Sequence, residues 1–115
     1  MSLFDREGFA AFAGGLAGVT LSEQWEALVA KVGGKVFCLR GEATGEIVFK
    51  VSEIAFEGLV ELPGIGQAAY FAKRQWVRVE PGALDEALLA GYIEQSYHTI
   101  AGKLTRKARA ELGLD

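Results

Sequence analysis

Leu28-Val29-Ala30-Lys31-Val32-Gly33-Gly34-Lys35-Val36-Phe37-Cys38-Leu39-Arg40 places two β-rich runs on either side of two adjacent glycines. Glycine enters the left-handed backbone region without steric cost, and a tight type I′ turn needs two such residues in a row. The stretch therefore predicts a β-hairpin with strands over 28–32 and 35–40. Beyond it, Glu42 to Gly45 reads as another turn. Ile47, Phe49 and Val51 then alternate with Val48 and Lys50, which predicts a third strand with one buried face. An antiparallel meander follows.

Upstream, Leu3, Phe4, Phe9, Phe12, Ala13 and Leu16 recur at helical spacing, and Gly14-Gly15 with Gly18 mark its end, so a helix is predicted from about 4 to 16. Thr20-Leu21-Ser22-Glu23 has the form of a capping box and predicts a short helical turn within Thr20 to Trp25. Downstream, Ser52 can cap a helix whose face is Ile54, Phe56, Leu59, Val60 and Leu62, ended by Pro63-Gly64. A loop is predicted at 64–67, then two short strands at 69–74 and 75–80, joined near Arg74-Gln75 or continuous as one bent strand. Pro81-Gly82 closes the sheet. Leu84, Leu88, Leu89, Tyr92, Ile93, Tyr97, Ile100 and Leu104 form one apolar stripe, so the last helix is predicted from about 84 to 104. The order α, β, β, β, α, β, β, α, without repeated βαβ units, predicts an α+β fold: a two-layer antiparallel sheet with helices packed on one face. Nothing divides the chain, and residues 1–115 read as a single domain.

At 115 residues such a domain buries roughly two-thirds of the surface its extended chain exposes. No apolar run approaches the roughly 20 residues needed to cross a bilayer, and the first residues lack the basic-then-apolar order of a signal peptide. A cytoplasmic protein is expected. The lone cysteine, Cys38, cannot form an internal disulfide, and within an apolar strand it reads as a buried hydrophobe. Net charge is −3, the wrong sign for a generic polyanion binder, yet the charge is uneven. Residues 1–66 carry five basic and nine acidic side chains, while 67–115 carry seven and six. An anionic partner would meet the second half.

Val32-Gly33-Gly34-Lys35-Val36-Phe37, then Tyr70 through Trp76 with its Lys73-Arg74-x-Trp76 core, then Ser96-Tyr97 and Lys103-Leu104-x-Arg106-Lys107, together resemble the MmcQ/YjbR family of small bacterial proteins. The resemblance covers nearly the whole chain. It implies a two-layer α+β domain likened to type III secretion chaperones and to the frataxin-like fold, commonly labelled DNA-binding with a "double wing" architecture. Two departures stand out. Gly14-Gly15-Leu16 replaces the Leu-Pro-Gly of many relatives, and Thr105 stands where proline is common, which would let the final helix run on into Arg109.

The candidate sites follow from charge and aromatics. Lys73, Arg74, Trp76 and Arg78, with Tyr70 beside them, interleave cations with rings that can pair with phosphates and stack on bases. The competing reading has the apolar residues filling the core while the charges line a solvated edge. Lys103, Arg106, Lys107 and Arg109 form the densest cationic cluster: a phosphate clamp, or the complement of a helix C-terminus. Tyr70, Tyr97 and His98 are the candidate lining of a pocket. His98 is the only histidine, so no histidine pair is available for a metal, and Glu94-His98 reads as a surface pair. Leu62-Pro63-Gly64-Ile65-Gly66-Gln67 lacks the third glycine of a dinucleotide fingerprint. No cofactor and no catalytic set are expected. The expectation is a non-enzymatic domain that binds DNA. The alternative is a protein- or peptide-binding adaptor working through its sheet, in either case as a monomer or weak homodimer.

Overall fold

The structure is a computed structural model that describes residues 1–114. In chain order the elements are α1 (Arg6–Gly14), β1 (Val19–Gln24), β2 (Ala27–Val32), β3 (Lys35–Gly41), β4 (Ile47–Lys50), α2 (Glu53–Leu59), β5 (Ile65–Gln67), β6 (Trp76–Val79), α3 (Glu86–Ala101) and α4 (Arg106–Glu111). The strands form one sheet in the order β1-β2-β3-β4-β6-β5, every pairing antiparallel. The α+β class with helices on one face is what the structure shows. One strand and one short helix are added to the expected order.

The β2–β3 hairpin lies where the two glycines put it, with Gly33 and Gly34 at φ 59° and 79°. Gly33 is required for a second reason: a Cβ there would lie 2.6 Å from Leu104 Cδ2. The segment just after α3 thus closes directly onto the turn.

Three expectations are corrected. Thr20 to Gln24 is not a helical turn but most of β1, paired residue for residue with β2 from Val19↔Val32 to Gln24↔Ala27. The capping-box pattern loses to cross-strand pairing, and the reversal is made by Trp25 and Glu26, both left-handed at φ 56° and 57°. Each such residue costs roughly 1–2 kcal/mol more than glycine would. Second, β5 occupies the predicted loop at 65–67, and residues 68–75 form a loop instead of the predicted strand at 69–74. Third, the last helix ends at Ala101, and Thr105 starts a new helix by accepting a hydrogen bond from the Ala108 amide, so α3 does not run on into Arg109. The helix over 4–16 is also shorter, at Arg6–Gly14.

The main core lies between the helices and one sheet face. It includes Phe9, Ala13, Ala30, Val32, Phe37, Ile47, Phe49, Val77, Val79, Leu89 and Ile93, all essentially inaccessible. A second, smaller cluster occupies the helix-free face: Ala27, Val29, Leu39, Val48, Ala68 and Trp76, with Val36 and Phe71 against it. Ile47, Val48 and Phe49 are therefore all buried, and β4 does not have the single buried face its alternation predicts. Cys38 is buried in β3, and burial pushes its thiol pKa well above the ordinary value. Among the described residues no helix is long and apolar enough to cross a membrane.

The two layers are joined through Ser96, the one buried polar side chain of α3. Register shifts between Ala30 and Lys31, so that Phe37 is an extra residue in β3. A bulge leaves a backbone group without its ladder partner. Ser96 Oγ donates to the Phe37 carbonyl at 2.6 Å and accepts from the Lys50 amide at 3.0 Å. The next residue, Tyr97, meets the Phe37 ring edge-on at 5.3 Å, and its hydroxyl donates to the Ala17 carbonyl. Ser96→Ala should therefore cost about 1–3 kcal/mol, because it strands a buried donor and a buried acceptor together. Urea unfolding should show a lower midpoint at an unchanged m-value.

Candidate functional site

Antiparallel pairing sorts the charges to the two ends of the strands. At one end lie the β1–β2 turn with Glu26, the 42–46 turn, Glu80 and the start of α3 at Asp85 and Glu86. The arginines here are neutralised: Arg6 pairs with Glu42 and with Glu23 at 2.6 Å, and Arg78 with Glu46 at 3.0 Å and Glu80 at 3.7 Å. Arg40 donates to the Phe4 carbonyl at 2.6 Å.

At the other end lie Gly33-Gly34-Lys35, the end of β4 at Lys50, the start of β6 at Trp76, and Lys103 just past α3. Lys50 is opposite Trp76 in register, and its Nζ stands 5.8 Å from the indole centroid and donates to Gln75 Oε1 at 2.7 Å. Burial lowers its pKa, and the nearby positive charge of Lys103 lowers it further. Since Leu104 packs on Gly33, Lys103 and Lys35 flank the same corner. Among the described residues none of Lys31, Lys35, Lys50, Lys73 and Lys103 has an ion-pair partner.

The 68–75 loop completes this end and is held by one side chain. Gln67 Nε2 donates to the carbonyl of Ala68 at 2.8 Å and, at 3.4 Å, to those of Phe71 and Ala72, while Gln67 Oε1 accepts from the Arg74 amide at 2.9 Å. Within the loop Tyr70 and Arg74 are left-handed, at φ 68° and 65°. Tyr70 projects fully into solvent. Lys73 is exposed beside it.

The predicted residues thus separate. Trp76 is 8% exposed and covered by Phe71 at 4.5 Å between centroids, so its ring is not available for stacking. Its side chain fills the helix-free face, not the core under the last helix. Arg74 is drawn to Glu57 and lies 5.9 Å from the Phe56 ring, and Arg78 is paired at the acidic end. Lys103 follows the α3 C-terminus, where a cation complements the dipole. Arg106 and Lys107 stand exposed in the first turn of α4, where it does not, and Arg109 lies in its last turn. Tyr97 is buried with its hydroxyl engaged, and burial raises its pKa. His98 touches its ring edge-on at 5.1 Å. Neither of the two surface hollows along β1 is lined by Tyr70, Tyr97 or His98. Among the described residues no group of three or more His, Cys, Asp or Glu could hold a metal ion. Lys31, Lys35 and Lys50 are the residues sequence reasoning missed. The signal for Lys50 was its place on the face of β4 opposite Phe49, one strand from an aromatic.

The YjbR family model matches residues 14–99, from the end of α1 to most of α3. The chain belongs to the YjbR family. Its fold is similar to that of a Deinococcus radiodurans protein with a DUF419 domain, at TM-score 0.83 and 24% identity, over 95% of this chain and 88% of that one. It is also similar to a Pseudomonas syringae protein of known structure, at TM-score 0.71 and 22% identity, over 84% of this chain and 98% of that one. No curated protein matches the chain significantly. The lysine end of this YjbR domain lies largely inside the matched region, with Lys103 just beyond it.

The electrostatic coupling is measurable. By NMR of its side chain, Lys50 should titrate below its ordinary value. In Lys103→Ala the midpoint should rise yet stay depressed, because desolvation is the larger cause. The folded-state pKa is the lower one, so the unfolded chain holds this proton to higher pH and stability should rise as pH climbs through that window.

Proposed function

We propose that this YjbR domain is a non-catalytic DNA-binding module whose contact surface is the lysine end. The observation that carries the proposal is the set of lysines without carboxylate partners around a loop that holds Tyr70 out in solvent. Left-handed non-glycine residues are uncommon and cluster where a backbone is held for binding. Lysines 31, 35, 50, 73 and 103 meet phosphates, and Tyr70 stacks on an accessible base. This shifts the contact away from Trp76, Arg74 and Arg78.

The acidic balance of the chain does not forbid this. The six residues of β2 separate the two ends by ~20 Å of strand. That is about two Debye lengths at physiological salt, so the far carboxylates are largely screened. A protein- or peptide-binding role is the second reading, favoured by large apolar side chains left exposed, among them Trp25, Ile54 and Leu88.

Fluorescence titration of labelled single-stranded and duplex oligonucleotides at two salt concentrations tests the proposal. Binding should weaken with salt, and the triple variant Lys50→Ala, Lys73→Ala, Lys103→Ala should flatten the log–log slope on duplex DNA by about 2 to 3, at ~0.9 per phosphate. Arg78→Ala, at the acidic end, should leave the slope unchanged. No binding at low salt to either oligonucleotide overturns the proposal.

A further inference from the structure

We propose that β1 is a docking edge for an extended, cationic peptide segment of another protein, added as a seventh strand. This site is separate from the lysine end and does not depend on it.

Three observations converge on β1. First, the six-residue strand ends the sheet, with a neighbour on one side only. Its two-residue turn makes Gln24 and Ala27 the first hydrogen-bonded pair, and the alternation of an antiparallel ladder then turns the N–H and C=O of Leu21 and Glu23 outward. Among the described residues these groups have no backbone partner. The opposite edge, β5, has three residues and offers no comparable template.

Second, two hollows flank the strand. One has Ala10, Leu21 and Leu28 in its lining with Glu7 and Glu23 among them, and the other holds Glu23, Glu26 and Glu42 beside Ala27. Four carboxylates thus line the two hollows against a single guanidinium, that of Arg6, which Glu23 and Glu42 share. Glu7 and Glu26 have no ion-pair partner among the described residues. An incoming strand presents alternate side chains to one face, and lysine or arginine fits here: an apolar stem over Leu21 and Leu28, a charged head among the acids.

Third, the tip of the hairpin holds Trp25 63% exposed on a left-handed backbone that asparagine and glycine adopt more readily. An exposed indole beside a row of carboxylates is a platform for a cation. The same charges argue against a second copy as the occupant, since pairing β1 with β1 sets two acidic edges together. Strand addition of this kind draws affinity from the main chain and selectivity from the alternate side chains.

The probe is a blocked decapeptide of alternating lysine and valine, with a glutamate–valine decapeptide as control. Binding to the full chain is followed by tryptophan fluorescence and backbone amide shifts. The lysine peptide should bind with shifts centred on Leu21 and Glu23, and the glutamate peptide should not. The double variant Trp25→Asn, Glu26→Gly should melt several degrees higher, because the turn relaxes, and bind at least tenfold more weakly. Leu21→Pro, which removes an outward N–H, should lose binding too, and the double variant carries the test if this one fails to fold. Lys50→Ala, at the lysine end, should bind the peptide as wild type does. Four results overturn the proposal: no binding of the lysine peptide, equal binding of both peptides, undiminished binding by the double variant of the turn, or dimerisation of the free protein through β1.

Discussion

Where β3 bulges at Phe37, a strand-to-strand bond is replaced by a strand-to-helix one, and the hydroxyl of Ser96 is the group that makes it. Interdigitated apolar side chains seat a helix on a sheet. Ser96 adds a directional fixed point by reaching β3 and β4 at once. With the register of α3 fixed, the Tyr97 hydroxyl meets Ala17, Leu104 meets Gly33, and Lys103 comes within electrostatic range of Lys50. Because Ser96 also takes the amide of Lys50, the same bond that seats the helix sets the backbone from which the central lysine projects.

The parts of this fold that could be read from the chain are those written in neighbouring residues. Two glycines announce the β2–β3 turn, Ser52 announces α2, and the stripe from Leu89 to Ile100 announces α3. What escaped carries no such local marker. The β1–β2 turn is made by Trp25 and Glu26, neither of which favours a left-handed backbone, so nothing local marks a hairpin there. The 68–75 loop takes its shape from the Gln67 side chain, and composition there is as rich in aromatic residues as a strand. The cations at 73–78 looked like one group. Glu57, 17 residues before Arg74, and Glu46, 32 before Arg78, divide them.

Net charge is a poor guide to a molecule built this way. The halves of the sequence differ by sign, but the ends of the strands differ more sharply, because each hairpin turn delivers its charges to one end. Arginine and lysine also take different parts. The planar fork of arginine suits fixed bonds to carboxylates, and Arg6, Arg74 and Arg78 are used that way. The lysines enter no ion pair among the described residues. Two surfaces of opposite character can then coexist on 115 residues without cancelling.

The chain's single cysteine has a consequence of its own. Cys38 is sealed in the central strands, paired with Ala30 on one side and Phe49 on the other, with its proton held firmly by burial. The native thiol is therefore chemically silent, and it becomes a nucleophile only when those strands part. A thiol reagent in solution would act as a clock for the rarest openings of the sheet, counting each one by a single irreversible mark.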